Sequence, residues 1–177
     1  MRLPLVDCVL RAVILVLPFL LCGYAFGQPS VVYNVPPGPA PPTFLESNSR
    51  LNLSAGGFIG RLSAGNADGS ITNVEVNVAG GSIGSVNSRA TVLASAGSHW
   101  NVSGGSVGGY FTASSGSSID LIGADFRLDG AIIEGLDAVG SRISFDIPSN
   151  GVLTGTLADG TPFLFSELDF DSIADGT

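Results

Sequence analysis

Short segments of alternating apolar and polar residues recur along this chain, separated by glycine and serine. The segment Val74–Val78, for example, places three valines on one side of a strand and a glutamate and an asparagine on the other. A period of two with β-branched residues is typical of a half-buried β-strand. The pattern therefore predicts an all-β chain of short strands joined by tight corners.

One five-residue sequence motif repeats at a constant interval. It reads GGFIG at 56–60, GGSIG at 80–84 and GGSVG at 104–108, so each copy begins 24 residues after the one before. Regular spacing indicates stacked repeats. A weaker copy around Gly123 follows after 19 residues, which suggests a basic coil of 19 residues with insertions near 63–68 and 86–93. The sequence predicts a short parallel β-helix, or solenoid, of about four coils over residues 44–135, right-handed because parallel crossovers nearly always are.

Superposition of these coils predicts which residues lie above one another. We expect two inward columns, one of Ile59, Ile83, Val107 and Phe126 and one of Val78, Val102 and Leu121. We assign the structural repeat to Gly56, Gly57, Gly80, Gly81, Gly104, Gly105 and Gly123, together with Asn77 and Asn101. Asp120 follows these asparagines, and Asn52 lies close to their register. Such a ladder either binds a ligand or bonds its amides to each other and to the corner backbone; we favour the second, because corners select Asn and Asp for that reason.

The N-terminal 27 residues have the composition of a signal peptide. Arg2 and Arg11 precede or flank the apolar stretch 12–21, and Ala25-Phe26-Gly27 has the form of a cleavage site. We therefore expect the mature protein to be secreted or held at the cell surface. Both cysteines, Cys8 and Cys22, lie in this segment, so the mature chain would be stabilised without disulfides.

Two flanking regions differ from the repeats. Residues 28–43 hold five prolines within 34–43 and read as an extended lead-in, with Phe44 and Leu45 beginning the first packed element. In residues 136–177, two apolar runs, 153–157 and 162–165, surround an Asp-Gly turn, which is a strong hairpin signal. We expect this hairpin to cap the end of the solenoid. The final turn signal at 174–177 leaves both a complete and a truncated C-terminus open.

Serial units such as NVAGGSIG at 77–84 and NVSGGSVG at 101–108, with a signal peptide before them and DGTPF at 159–163 after them, resemble exported repeat proteins of planctomycete-type bacteria. The resemblance covers residues 44–165. It implies a secreted or surface parallel β-helix protein and carries no established activity.

The charge balance narrows the choice of partner. The chain has a net charge of −8 and no lysine, which argues against nucleic acid, whose phosphates require clustered cations. We expect extracellular polysaccharide or other surface proteins as partners, no membrane span in the mature chain, and no cofactor. The GGxGxD calcium repeat is also excluded, because Ser85 and Gly109 stand where its aspartate belongs.

Three residues are candidates for binding: His99, Trp100 and Asp125. Trp100 either offers an exposed ring face to a sugar or lies in the core, and we favour the core. Asp125 belongs to an acidic group near the end of the repeats. A glycosidase would need two carboxylates that face each other across a groove. We favour a solvated acidic face and expect no catalytic residue. The sequence thus predicts a structural or adhesive surface protein without catalytic activity. The alternative is a carbohydrate-binding module or a degenerate polysaccharide-lyase-like β-helix.

Overall fold

A computed structural model describes residues 9–13, 28–84, 91–107, 110–136, 141–145 and 151–166. These residues are all-β, with no helix among them. The strands are β1 (Val9–Val13), β2 (Val31–Val35), β3 (Phe44–Leu45), β4 (Ser49–Leu53), β5 (Phe58–Ile59), β6 (Leu62–Ala64), β7 (Val74–Ile83), β8 (Thr91–Ala94), β9 (Ser98–Val107), β10 (Tyr110–Ala113), β11 (Ser118–Leu128), β12 (Ala131–Ile132), β13 (Arg142–Phe145), β14 (Val152–Leu157) and β15 (Pro162–Ser166).

Two sheets contain the strands, and from β2 to β11 the chain passes back and forth between them; β5 and β12 to β15 also belong to the first sheet. The first sheet has the order β13-β1-β11-β9-β7-β4-β2, and the second sheet has the order β10-β8-β6-β3. Within the run from β2 to β11, and throughout the second sheet, neighbouring strands are parallel. Parallel neighbours need a long crossover between them, and here each crossover contains a strand of the other sheet.

The distance in sequence between facing residues varies along the first sheet. It is 18 residues from Asn34 to Asn52, 25 from Asn52 to Asn77 and 24 from Asn77 to Asn101. Part of the increase comes from residues 65–73, which connect β6 to β7. This connection is longer than the corresponding corners at 46–48 and 95–97. The first predicted insertion is therefore present, although Ser63 and Ala64 belong to β6. The second falls mainly on residues 85–90, which lie outside the described residues.

The core is built from columns of side chains on successive strands. Ile59, Ile83 and Val107 face one another in register, as predicted, and so do Val78, Val102 and Leu121. A third column contains Leu51, Val76, Trp100 and Ile119. All of these side chains are buried. Their burial depends on the neighbouring strands, because each strand contributes only one residue to a column.

The predicted position of Phe126 is wrong. From residue 123 onward, β11 no longer follows β9 and pairs antiparallel with β14, with a register shift between Ala124 and Arg127. The ring of Phe126 packs on Phe163, with 5.8 Å between ring centroids. The β14–β15 hairpin, itself as predicted, competes with β9 for this half of β11.

The N-terminal boundary of the sheet also differs from the prediction. Val31–Val35, within the proline-rich lead-in, already forms a strand in register with β4, so packing begins before Phe44. Val9–Val13, within the predicted signal peptide, pairs parallel with β11 and antiparallel with β13. Among the described residues, no helix is long and apolar enough to cross a membrane.

Candidate functional site

Four asparagines form a continuous ladder on the outer face of the first sheet. They alternate with core residues along their strands, because successive side chains of a strand point to opposite faces. Each amide nitrogen donates to the amide oxygen on the preceding strand: Asn52 Nδ2 to Asn34 Oδ1 (2.8 Å), Asn77 to Asn52 (2.9 Å) and Asn101 to Asn77 (2.8 Å). We call Asn34, Asn52, Asn77 and Asn101 the asparagine ladder. All of its hydrogen bonds run in one direction.

A second outward row runs beside the ladder and contains charged groups. Arg50 Nε donates to Glu75 Oε2 at 2.7 Å, and Glu75 Oε1 accepts from Asn77 Nδ2 at 3.1 Å. This row is cross-linked to the ladder and leads by register to His99 and then Ser118.

His99 joins the two rows at the β11 end. Its Nδ1 lies 2.6 Å from Ser118 Oγ, and its Nε2 lies 3.0 Å from Asn101 Oδ1 and 3.6 Å from Asp120 Oδ2. Asn101 Oδ1 can only accept, since the Nδ2 of Asn101 donates to Asn77. With this amide orientation, a neutral imidazole would carry its hydrogen on Nε2 and accept a hydrogen bond from the Ser118 hydroxyl at Nδ1.

This cluster contains the residue types of a nucleophile–base–carboxylate triad. Acyl transfer also requires backbone or side-chain donors aimed at a developing oxyanion. Ser118 and Asp120 instead lie within β11, where they are paired in parallel register with His99 and Asn101 of β9. In the structure, the cluster lies at the end of the asparagine ladder and is joined to it by the contact between His99 and Asn101.

The glycines assigned to the repeat lie at close backbone approaches. Gly105 has φ +75°, and a Cβ there would lie 2.5 Å from Gly81 O; a Cβ at Gly81 would lie 2.6 Å from Gly57 O. A Cβ would meet Ala55 at Gly80, and Asp159 at Gly104. Gly56 has φ +82° in open space, whereas Gly123 abuts Thr156 of the hairpin. Gly57, Gly80, Gly81 and Gly105 thus lie at contacts between successive strands, whereas Gly104 and Gly123 lie against the hairpin and Gly56 lies at an open corner.

The three binding candidates do not converge. Trp100 is completely buried, so the alternative that gave it an exposed ring face is wrong, because the indole fills the core column. His99 is half-buried in the cluster above. Asp125 is exposed, with φ +57°, and lines a groove of about 640 Å³ at the second half of β11 with Arg127, Ile132, Glu134 and others. His99 is not part of that lining.

Asp159 fastens the hairpin to the first sheet. Its Oδ2 accepts from the N–H of Gly105 at 2.7 Å, its Oδ1 accepts from Thr161 at 2.9 Å, and its own N–H donates to Ser103 O at 3.1 Å. Burial raises the pKa of this carboxyl, but the hydrogen bonds from Thr161 and Gly105 outweigh burial and hold the pKa below its ordinary value. The hairpin thus docks through an ionised side chain.

Three of these contributors were missed by reasoning from sequence: Asn34, Ser118 and Asp159. Asn34 carries a signal, since Tyr33-Asn34-Val35 has the apolar–Asn–apolar form of Leu51-Asn52-Leu53. In the part of the chain that the structure describes, no three His, Cys, Asp or Glu side chains are grouped to hold a metal ion.

Comparison with known proteins adds no relative. No protein-family model matches the chain, and neither the curated proteins nor the solved structures contain a significant match.

Proposed function

We propose that the chain is a short right-handed parallel β-solenoid that is exported and acts as a structural or adhesive element of the cell surface, without catalysis. The observation that carries this proposal is the asparagine ladder. The amides of the ladder join one strand to the next, and the row ends at His99 and Asp120. Such a surface stabilises a repetitive stack and leaves its flanks for contact with other molecules.

The net charge of the chain is consistent with an extracellular adhesive role. The net charge of −8 and the absence of lysine favour cationic partners or partners bridged by divalent ions. The predicted signal peptide and the resemblance to exported repeat proteins supply the location in this proposal.

Electrophoresis of the folded, exported chain through gels that contain acidic or neutral polysaccharides, with and without Ca²⁺, tests the proposal. We expect no cleavage of any polysaccharide, and no change of mobility in His99→Gln relative to the parent chain. Circular dichroism of each sample establishes that it is folded. Cleavage that is lost in His99→Gln or Ser118→Ala would contradict the non-catalytic proposal.

Carbohydrate binding is the second candidate, and the groove beside Asp125 favours it. The groove combines carboxylates at Asp125 and Glu134 with the exposed side chain of Ile132, which is 68% accessible. Polar groups beside an apolar surface suit a sugar ring. Retardation in a polysaccharide gel that is lost in Asp125→Asn, but kept in His99→Gln, would assign binding to this groove.

A further inference from the structure

We infer that the chain, once residues 1–27 are removed, binds a second copy of itself head to tail, with residues 32–35 of β2 in one copy pairing parallel to residues 118–121 of the other. The inference rests on the proposed solenoid and on the predicted removal of the signal peptide. It concerns the two ends of the run β11-β9-β7-β4-β2. Open ends of parallel stacks present unpaired backbone groups and template further pairing.

The β11 end already accepts a parallel strand of the right length. Val9–Val13 pairs with it residue by residue, with Leu10 opposite Ile119 and Arg11 opposite Asp120. Along the sheet, the position of Arg11 continues the ladder that begins at Asn34. A second copy's β2 therefore fits this edge in the same direction once β1 is absent, with Val32 to Val35 at the positions of Val9 to Ala12.

The second half of β11 does not obstruct this pairing. Residues 123–128 turn toward β14 and β12, and only 118–122 face β1. The hairpin thus covers residues 123–128 of β11. Residues 118–122, which include Asp120 at the end of the asparagine ladder, are left as an edge.

The direction of the asparagine ladder selects head-to-tail pairing. Each amide nitrogen points to the strand before it, from Asn101 back to Asn34. Asn34 of an arriving copy would point its nitrogen at Asp120, and an ionised carboxylate is an acceptor with several lone pairs. A two-fold arrangement would instead bring like ends together and reverse the strand direction. The ladder is thus continuous only in a head-to-tail contact.

The first and second sheets run in the same direction along the stack, so each end of the stack presents one strand from each sheet. β2 and β3 form one end, and β11 and β10 form the other. Large apolar side chains are exposed at the β2–β3 end: Val31 is 42% accessible, Val32 is 47% and Phe44 is 66%. Their burial favours association. The two contact surfaces differ, and each added copy continues the stack in the same direction, so we expect open linear oligomers.

Cysteine cross-linking tests this contact directly. Val32 and Ser118 would be neighbours across it, since Val9 faces Ser118 in the register that β2 would adopt. Exported Val32→Cys and Ser118→Cys chains are mixed and treated with a short bis-maleimide, after mass spectrometry has shown that residues 1–27, with Cys8 and Cys22, are gone. We expect cross-linked dimers in the mixture and none in either variant alone. Val32→Cys mixed with Ala79→Cys, an exposed position on β7 in the middle of the first sheet, is the matched control.

Light scattering provides the second measurement. We expect concentration-dependent linear oligomers from the exported chain, and a monomer from the chain that retains residues 1–27. Val32→Lys should weaken association about tenfold or more, because a charge on an edge strand opposes pairing, whereas Ala79→Lys, in the middle of the first sheet, should leave association unchanged. Cross-linking of Val32→Cys with itself would show two-fold pairing and overturn the proposal. A folded, processed monomer would overturn it as well, for example if β13 closes onto β11.

Discussion

Replacement of Asn77 by alanine measures what the asparagine ladder contributes to stability. Asn77 takes part in three hydrogen bonds, to Asn52, Asn101 and Glu75, at 2.8–3.1 Å. A net contribution of about 1 kcal/mol for each bond gives about 3 kcal/mol as an upper limit. Because these side chains are half-buried, water replaces part of the loss, and we expect about 1 to 2 kcal/mol. The corresponding fall in Tm is about 3 to 6 °C.

Asn34→Ala is the matched control for this prediction. Asn34 is exposed and makes one ladder bond, so its loss should be below about 0.5 kcal/mol. Urea unfolding of both variants, with equal m-values, gives the two losses. The double variant Asn52→Ala/Asn77→Ala should lose less than the sum of its single variants, because they share one bond. Equal losses at positions 34 and 77, or strict additivity of 52 and 77, would refute the ladder as a cooperative unit.

Three further outcomes are expected. Gly105→Ala should cost about 3 kcal/mol in urea unfolding, because of the contact with Gly81 O, whereas Gly56→Ala, in open space, should cost about 1 kcal/mol. Trp100→Ala should cost about 3 to 5 kcal/mol by the same measurement, since it empties a completely buried position. Asp159 has a lowered pKa, so its contribution is complete above the ordinary value of 3.8 and is lost as pH falls through the lower folded value; Asp159→Asn should remove this part of the acid dependence of unfolding.

Much of the repeat could be predicted from the sequence because its determinants are local. The two-residue period determines which side chains of β7 and β9 point inward. The repeated glycine motif determines the register in which the two strands pair. The facing pairs Asn77–Asn101 and Val78–Val102 follow from these two facts alone. The insertion at 65–73 could be predicted from the change of interval.

The errors arose where distant segments compete. Phe126 keeps the local pattern of the column, yet its strand pairs with a hairpin that begins at Val152. Asp125 and Asp129 both have positive φ, a conformation that aspartate tolerates better than most residues, and the first lies at the register shift. The strand β2 was hidden by the prolines that follow Val35. Its assignment depends on pairing with β4, and the only local signal for that pairing is the form that Tyr33-Asn34-Val35 shares with Leu51-Asn52-Leu53.

The final prediction concerns Ser118, whose hydroxyl lies 2.6 Å from His99. A short bond of this kind in a hydrolase marks an activated nucleophile, so the cluster invites a direct test. Here the bond links β9 to β11, and both residues lie within paired strands. We therefore expect a fluorophosphonate probe to leave Ser118 unlabelled in the folded chain, and Ser118→Ala to lower the free energy of unfolding by about 1 kcal/mol. Labelling that depends on both Ser118 and His99 would show that the cluster is chemically active and that the structural interpretation of this end of the ladder is wrong.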